Sequence, residues 1–78
     1  MPTILRVGPF RFFFYASDRA EPRHVHVEGS GGTAKFWLDP VRLEASRGFA
    51  RHELSRLQRL VTNQQQHLVR AWNAYFKG

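Results

Sequence analysis

Apolar and polar residues alternate through the first half of the chain, then apolar residues recur at three- and four-residue steps through the last third. The first period belongs to half-buried strands and the second to an amphipathic helix. Residues 3–7 predict a first strand. Gly8-Pro9 is a turn signal, and residues 10–15 predict a second strand rich in strand-favouring aromatics. Alternation puts Phe10, Phe12 and Phe14 on one face and Arg11, Phe13 and Tyr15 on the other. Apolar side chains on both faces suit a central strand. Residues 17–23 form a polar loop, in which Pro22 biases Glu21 toward an extended conformation.

The next strand carries the most distinctive words of the chain, Glu21-Pro22-Arg23-His24-Val25-His26-Val27. Val25 and Val27 are expected in the core, with His24, His26 and Glu28 on the opposite face. Residues 29–32, Gly-Ser-Gly-Gly, predict a hairpin turn. No Lys-Ser/Thr pair and no helix follows it, so it is not a phosphate loop. Residues 33–38 form the fourth strand. Phe36 and Leu38 face the core, and Lys35 and Trp37 share the histidine face provided no bulge intervenes. Asp39-Pro40 breaks that strand, and Val41, Leu43 and Ala45 alternate with Arg42 and Glu44 in a short fifth.

Beyond the connector Arg47-Gly48-Phe49, the residues Leu54, Leu57, Leu60, Val61, Leu68, Trp72, Tyr75 and Phe76 mark one helical stripe. No Pro or Gly interrupts residues 49–77. Gln64, Gln65 and Gln66 dilute the stripe, which makes Thr62-Asn63 its weak point and Asn63 a candidate cap for a second helix. The expectation is one long helix over residues 51–76, straight or kinked, in preference to two. It is expected to supply the larger part of the core. Strands first and helix last read as α+β: a small antiparallel sheet of four to five strands packed against a C-terminal helix, in a single domain.

Composition narrows the partners. Twelve Lys and Arg stand against six Asp and Glu, a formal charge of +6 in 78 residues. Such a balance favours an anionic partner: nucleic acid, an acidic protein or a membrane surface. Ten of the cations are Arg, which suits bidentate contacts to phosphate or carboxylate. A domain this small buries only about 60% of its unfolded surface, so a partner or a homodimer fits its size. The chain has no cysteine, which excludes disulfides and thiolate–zinc sites. It shows no leader pattern and no run near the ~20 apolar residues of a membrane span. The expected location is cytoplasmic, with no membrane partner.

Four chemistries suit the histidine face. Two strand positions apart, the Cα atoms of His24 and His26 lie about 6.6 Å from each other, close enough to serve one metal. Zinc then needs further ligands, and Glu21, Glu28, Asp39, His52 and His67 are the candidates. Alternatively, one imidazole accepts a proton while the other donates, as in a metal-independent ribonuclease, with Arg11, Arg23 or Lys35 holding the phosphate. Phe13, Tyr15 and Trp37 with Arg11 and Lys35 also resemble a platform for single-stranded RNA. Finally, Trp, Tyr and Arg are the usual anchors of a protein interface.

Several segments together resemble the small bacterial family called domain of unknown function 4160. They are Pro2-Thr3-Ile4-Leu5-Arg6, Arg11-Phe12-Phe13-Phe14-Tyr15, Glu21 to Val27 as above, Ala34-Lys35-Phe36-Trp37-Leu38-Asp39-Pro40-Val41, Arg47-Gly48-Phe49, and the ending Leu68…Ala71-Trp72-Asn73…Tyr75-Phe76. The resemblance covers nearly the whole chain and implies no activity. It does imply a partner, since members are often encoded beside another small protein, commonly of the family called domain of unknown function 2442. Such pairs look like toxin–antitoxin modules. The reading is therefore a basic protein-interaction module, one member of such a pair. The binding residues are expected to be Arg11, Tyr15, Arg23, His24, His26, Lys35 and Trp37. An RNA-binding protein or ribonuclease using His24 and His26 is the alternative.

Overall fold

In the computed structural model, residues 2–77 are described. Five strands run β1 (Thr3–Val7), β2 (Phe10–Phe13), β3 (His24–Gly29), β4 (Gly32–Leu38) and β5 (Val41–Arg47). They form one sheet in sequence order, every neighbouring pair antiparallel. Two helical segments follow, α1 (Arg51–Asn63) and α2 (Gln65–Tyr75). This is the expected α+β order, with all five strands present.

The alternation places side chains as the pattern predicts. Phe12, Val25, Val27, Phe36 and Leu38 are fully buried. Val27 pairs with Phe12 and Ala34, and Val25 with Phe36. Among the described residues the register shifts twice: between β1 and β2, where Thr3 faces Phe13 and Leu5 faces Phe12, and between β4 and β5, where Lys35 faces Ala45 and Phe36 faces Leu43. Ile4 is the extra residue in the first and Glu44 in the second. Because the β3–β4 ladder is regular, Lys35 and Trp37 stay on the histidine face. The second strand is shorter than predicted. It ends at Phe13, and the chain turns into a 3-10 helix, Ala16–Ala20. Phe14 nevertheless reaches the core, packed edge-on against Trp72 with ring centroids 5.3 Å apart.

The connector into α1 is pinned by close approach. Gly48 has φ +85, and a Cβ there would sit 2.6 Å from the Gly31 carbonyl oxygen. A Cβ on Gly32 would meet the Phe49 ring at 2.7 Å. Phe49 can therefore cover the β3–β4 hairpin. The Ala50 N–H donates to Glu53 Oε1 at 2.9 Å, which satisfies one free donor at the start of α1.

The helical stripe breaks at Gln64, beside the predicted weak point. Gln64 has φ −102 and ψ 11, yet its N–H still bonds the Leu60 carbonyl and its own carbonyl accepts from Leu68 N–H. The hydrogen-bond ladder thus runs through a distorted turn. The Thr62 hydroxyl donates to the Gln58 carbonyl at 2.8 Å, a contact that bends helices. Gln64, not Asn63, occupies the start of α2, and no side chain caps it. Gln65 Nε2 ties α2 to the end of β4 through the Leu38 carbonyl at 2.7 Å.

The helices bury Leu57, Val61, Leu68 and Trp72. The sheet and its edges bury Phe10, Phe12, Phe13, Phe14, Val25, Val27, Ala34, Phe36 and Leu38. The expectation that the helix supplies the larger part of the core is corrected by this distribution. An amphipathic helix lends the core one stripe, whereas the central strands commit a whole face and, at Phe13, part of the other. No helix among the described residues is long and apolar enough to cross a membrane.

Candidate functional site

The helices lie against the Phe12–Val27–Phe36 face, which leaves the histidine face open except at one end. There the 3-10 turn folds back over β3. Its lock is Asp18, whose Oδ2 accepts the Tyr15 N–H at 2.8 Å. The backbone adds Asp18 N–H to the Tyr15 carbonyl and Glu21 N–H to the Asp18 carbonyl, each 3.0 Å. Only 8% of Asp18 is exposed.

Thus held, the carboxylate bridges the two imidazoles. Oδ1 lies 3.1 Å from His24 Nε2, and Oδ2 lies 3.0 Å from His26 Nε2. His24 is on the predicted face, opposite Val25, but it is fully buried. Trp37 and Trp72 enclose its ring, with centroids 5.7 and 5.2 Å away. His24 Nδ1 lies 2.9 Å from the Pro22 carbonyl. A carbonyl can only accept, so Nδ1 carries the proton. In the neutral ring, Nε2 then presents a lone pair toward Asp18 Oδ1. That Nε2 is buried without a hydrogen-bond partner. His26 is half-buried, stacked on Phe13 at 5.5 Å and edge-on to Tyr15 at 4.7 Å.

Burial holds the His26 imidazole below the usual histidine range, and its bond to Asp18 opposes that shift without cancelling it. For Asp18, burial raises the pKa. The Tyr15 N–H, followed by the bond to His26, leads the opposing contributions, and the carboxyl stays below its ordinary value.

The other predicted residues scatter around this centre. Lys35 bonds Glu21 Oε1 at 2.6 Å and lies over the Trp37 ring at 4.8 Å. Trp37 donates to Glu44 Oε1 at 3.0 Å. Tyr15 is 42% exposed beside His26. Arg11 lies one row along the sheet, bonded to Glu28 at 3.2 Å and to Thr3 at 3.0 Å. Arg23 turns away to Asn73 on α2, at 3.0 Å. Of the carboxylates and histidines considered as further metal ligands, Glu28 is engaged by Arg11 and Glu21 by Lys35, with Glu21 3.8 Å from His24 Nδ1. Asp39 is exposed at the β4–β5 turn, and His52 and His67 are exposed on the helices. The third member of the cluster is Asp18, which the sequence hides within a polar loop. Asp is a common turn residue, and no spacing aims it at a strand eight residues on.

Away from this end, the open face forms two adjoining hollows. One, of about 330 Å³, is lined by Phe13, Tyr15, His26, Lys35 and Ala45, among others. The other, of about 400 Å³, is lined by Arg6, Arg11, Glu28, Thr33 and Arg47, among others.

A family model described as Domain of unknown function (DUF4160) matches residues 10–73, which contain the whole of the Asp18–His24–His26 cluster. No curated protein and no solved structure matches the chain.

Proposed function

We propose that this chain, which belongs to the family Domain of unknown function (DUF4160), is a protein-interaction module that docks an acidic partner on its open sheet face. The observation that carries this reading is one cross-strand row. Arg6, Arg11, Glu28 and Thr33 pair in register across β1 to β4, and Arg47 of β5 pairs with Thr33. Neighbouring strands are about 4.8 Å apart, so the row spans roughly 19 Å and sets three guanidiniums against one carboxylate. Arg6 and Arg47 are exposed at its two ends. Guanidiniums in such an array bind carboxylates bidentately and speed encounter with an acidic surface. Tyr15, exposed beside the same face, is the kind of aromatic that anchors an interface. The resemblance to families encoded in pairs supplies the partner to test, the small protein of the adjacent gene in a toxin–antitoxin-like module.

The test is co-expression with that neighbour, followed by calorimetric titration of the purified pair. The expected result is a saturable complex that weakens as salt rises and is lost in Arg6→Glu/Arg47→Glu, with the melting temperature of the variant no lower than that of the parent chain. Absence of a complex, or a complex indifferent to the double change, rejects the face. Salt-sensitive retention of single-stranded RNA without the neighbour would instead assign the row and Tyr15 to nucleic acid.

A further inference from the structure

We propose that Asp18, His24 and His26 form a binding site for a first-row divalent transition-metal ion, held through the Asp18 carboxylate and the two Nε2 atoms. Among the described residues these three offer ligand atoms that all lie within 4.8 Å of one another. A tetrahedral zinc ion, with ligands at about 2.1 Å, separates its ligand atoms by about 3.4 Å. The two carboxylate-to-imidazole separations, 3.1 and 3.0 Å, are near that edge length. They run to the two different oxygens of the carboxylate, and the three-atom set as a whole lies within 4.8 Å, so the set closes by a small contraction when it takes the ion.

An independent observation points the same way. His24 Nε2 is buried without a hydrogen-bond partner and faces a carboxylate oxygen. In the tautomer fixed by the Pro22 carbonyl, that nitrogen turns a lone pair toward negative charge. The arrangement calls for a cation between them, either a proton or a metal. The surroundings suit the metal. Nδ1–H to a backbone carbonyl is the outer contact that orients a ligating histidine and raises its basicity. The Tyr15 N–H plays the matching part for Asp18. Two imidazoles, one carboxylate and no thiolate suit zinc, iron(II) or their neighbours and disfavour calcium and magnesium. Ligation requires His26 to pass to its Nδ1–H form, which frees Nε2. The side chain of His26 is 18% exposed and that of His24 is not exposed at all, so the site meets solvent at the Tyr15–His26 hollow. Three protein ligands leave a position there for water or an incoming group.

The experiment uses tag-free, chelator-treated full-length protein titrated with Zn²⁺ by calorimetry and with Co²⁺ by visible absorption. The expected result is one ion per chain, a raised melting temperature, and cobalt bands of low-coordinate N/O ligation. Binding should weaken as pH falls below about 6, where protons compete for the imidazoles. Asp18→Asn and His26→Gln should each weaken binding at least tenfold while circular dichroism stays native. His26→Gln is the decisive variant, because its side chain reaches solvent and its loss leaves the core intact. His52→Gln/His67→Gln should bind like the wild type. Absence of saturable binding in the wild type, or wild-type affinity in His26→Gln, overturns the site and leaves a proton between His24 and Asp18. Affinity lost in the His52/His67 double variant overturns it equally.

Discussion

Asp18 organises its surroundings through one carboxylate that meets a backbone N–H and two imidazoles. Asp18→Ala leaves the Tyr15 N–H without its acceptor, at the covered end of the sheet. The expected cost is about 1–3 kcal/mol, the usual penalty for an orphaned buried polar group. Asp18→Asn keeps an acceptor for Tyr15 and should cost less. Denaturant melts of the two variants would rank them, and equal stability would show that the carboxylate locks nothing. The same residues set an acid limb in the metal-free protein. His26 has its pKa lowered by folding, so its protonation favours the unfolded chain, and stability declines as pH falls through about 6.5. Asp18 also has its pKa lowered. Its contribution is present above the ordinary aspartate value and is lost as pH drops through and below that range. Stability of the chelator-treated chain should therefore fall in two stages on acidification. His26→Gln should remove the upper stage, and a variant that keeps it would assign that stage elsewhere.

At the scale of elements, the packing of α2 over the sheet's covered end is the contact to challenge. Trp72 is 7% exposed and touches Phe14, His24 and Phe76. Trp72→Ala should cost roughly 3–5 kcal/mol, as for other buried aromatics, a large share of the margin of a small domain. A melting temperature unchanged by that substitution would detach α2 from the core. The strands were legible because burial on one face forces a period of two, and Val25, Val27, Phe36 and Leu38 lie where that period puts them. The covered end was not legible. His24 obeys the alternation and still loses its solvent, because Trp72 arrives from 48 positions along the chain and Asp18 from a turn whose direction is a tertiary matter. The Glu44 bulge left no mark in a strand that alternates cleanly. The helix break was legible only as a polar run, since hydrogen bonding at Thr62 and Gln65, not composition, decides which residue bends.

For the whole molecule, the net charge of +6 is a standing cost as well as a means of recognition. Self-repulsion opposes the compact state, and the sheet gathers Arg6, Arg11 and Arg47 into one row with Glu28 as the carboxylate between them. Glu28 already pairs with Arg11, so Arg47 at the β5 edge adds repulsion without that relief. The row should therefore be better for binding than for stability. Reversing its exposed end tests this trade directly. Arg47→Glu should raise the melting temperature of the free chain by about 1–3 °C at low salt. The gain should vanish near 1 M salt, where the screening length falls to about 3 Å. The same change should slow association with the acidic partner and weaken the complex about tenfold, a loss of about 1.4 kcal/mol. A variant that melts lower at low salt, or whose gain survives high salt, would show that Arg47 is held by a favourable contact, and the row would then lose its standing as an array kept for a partner.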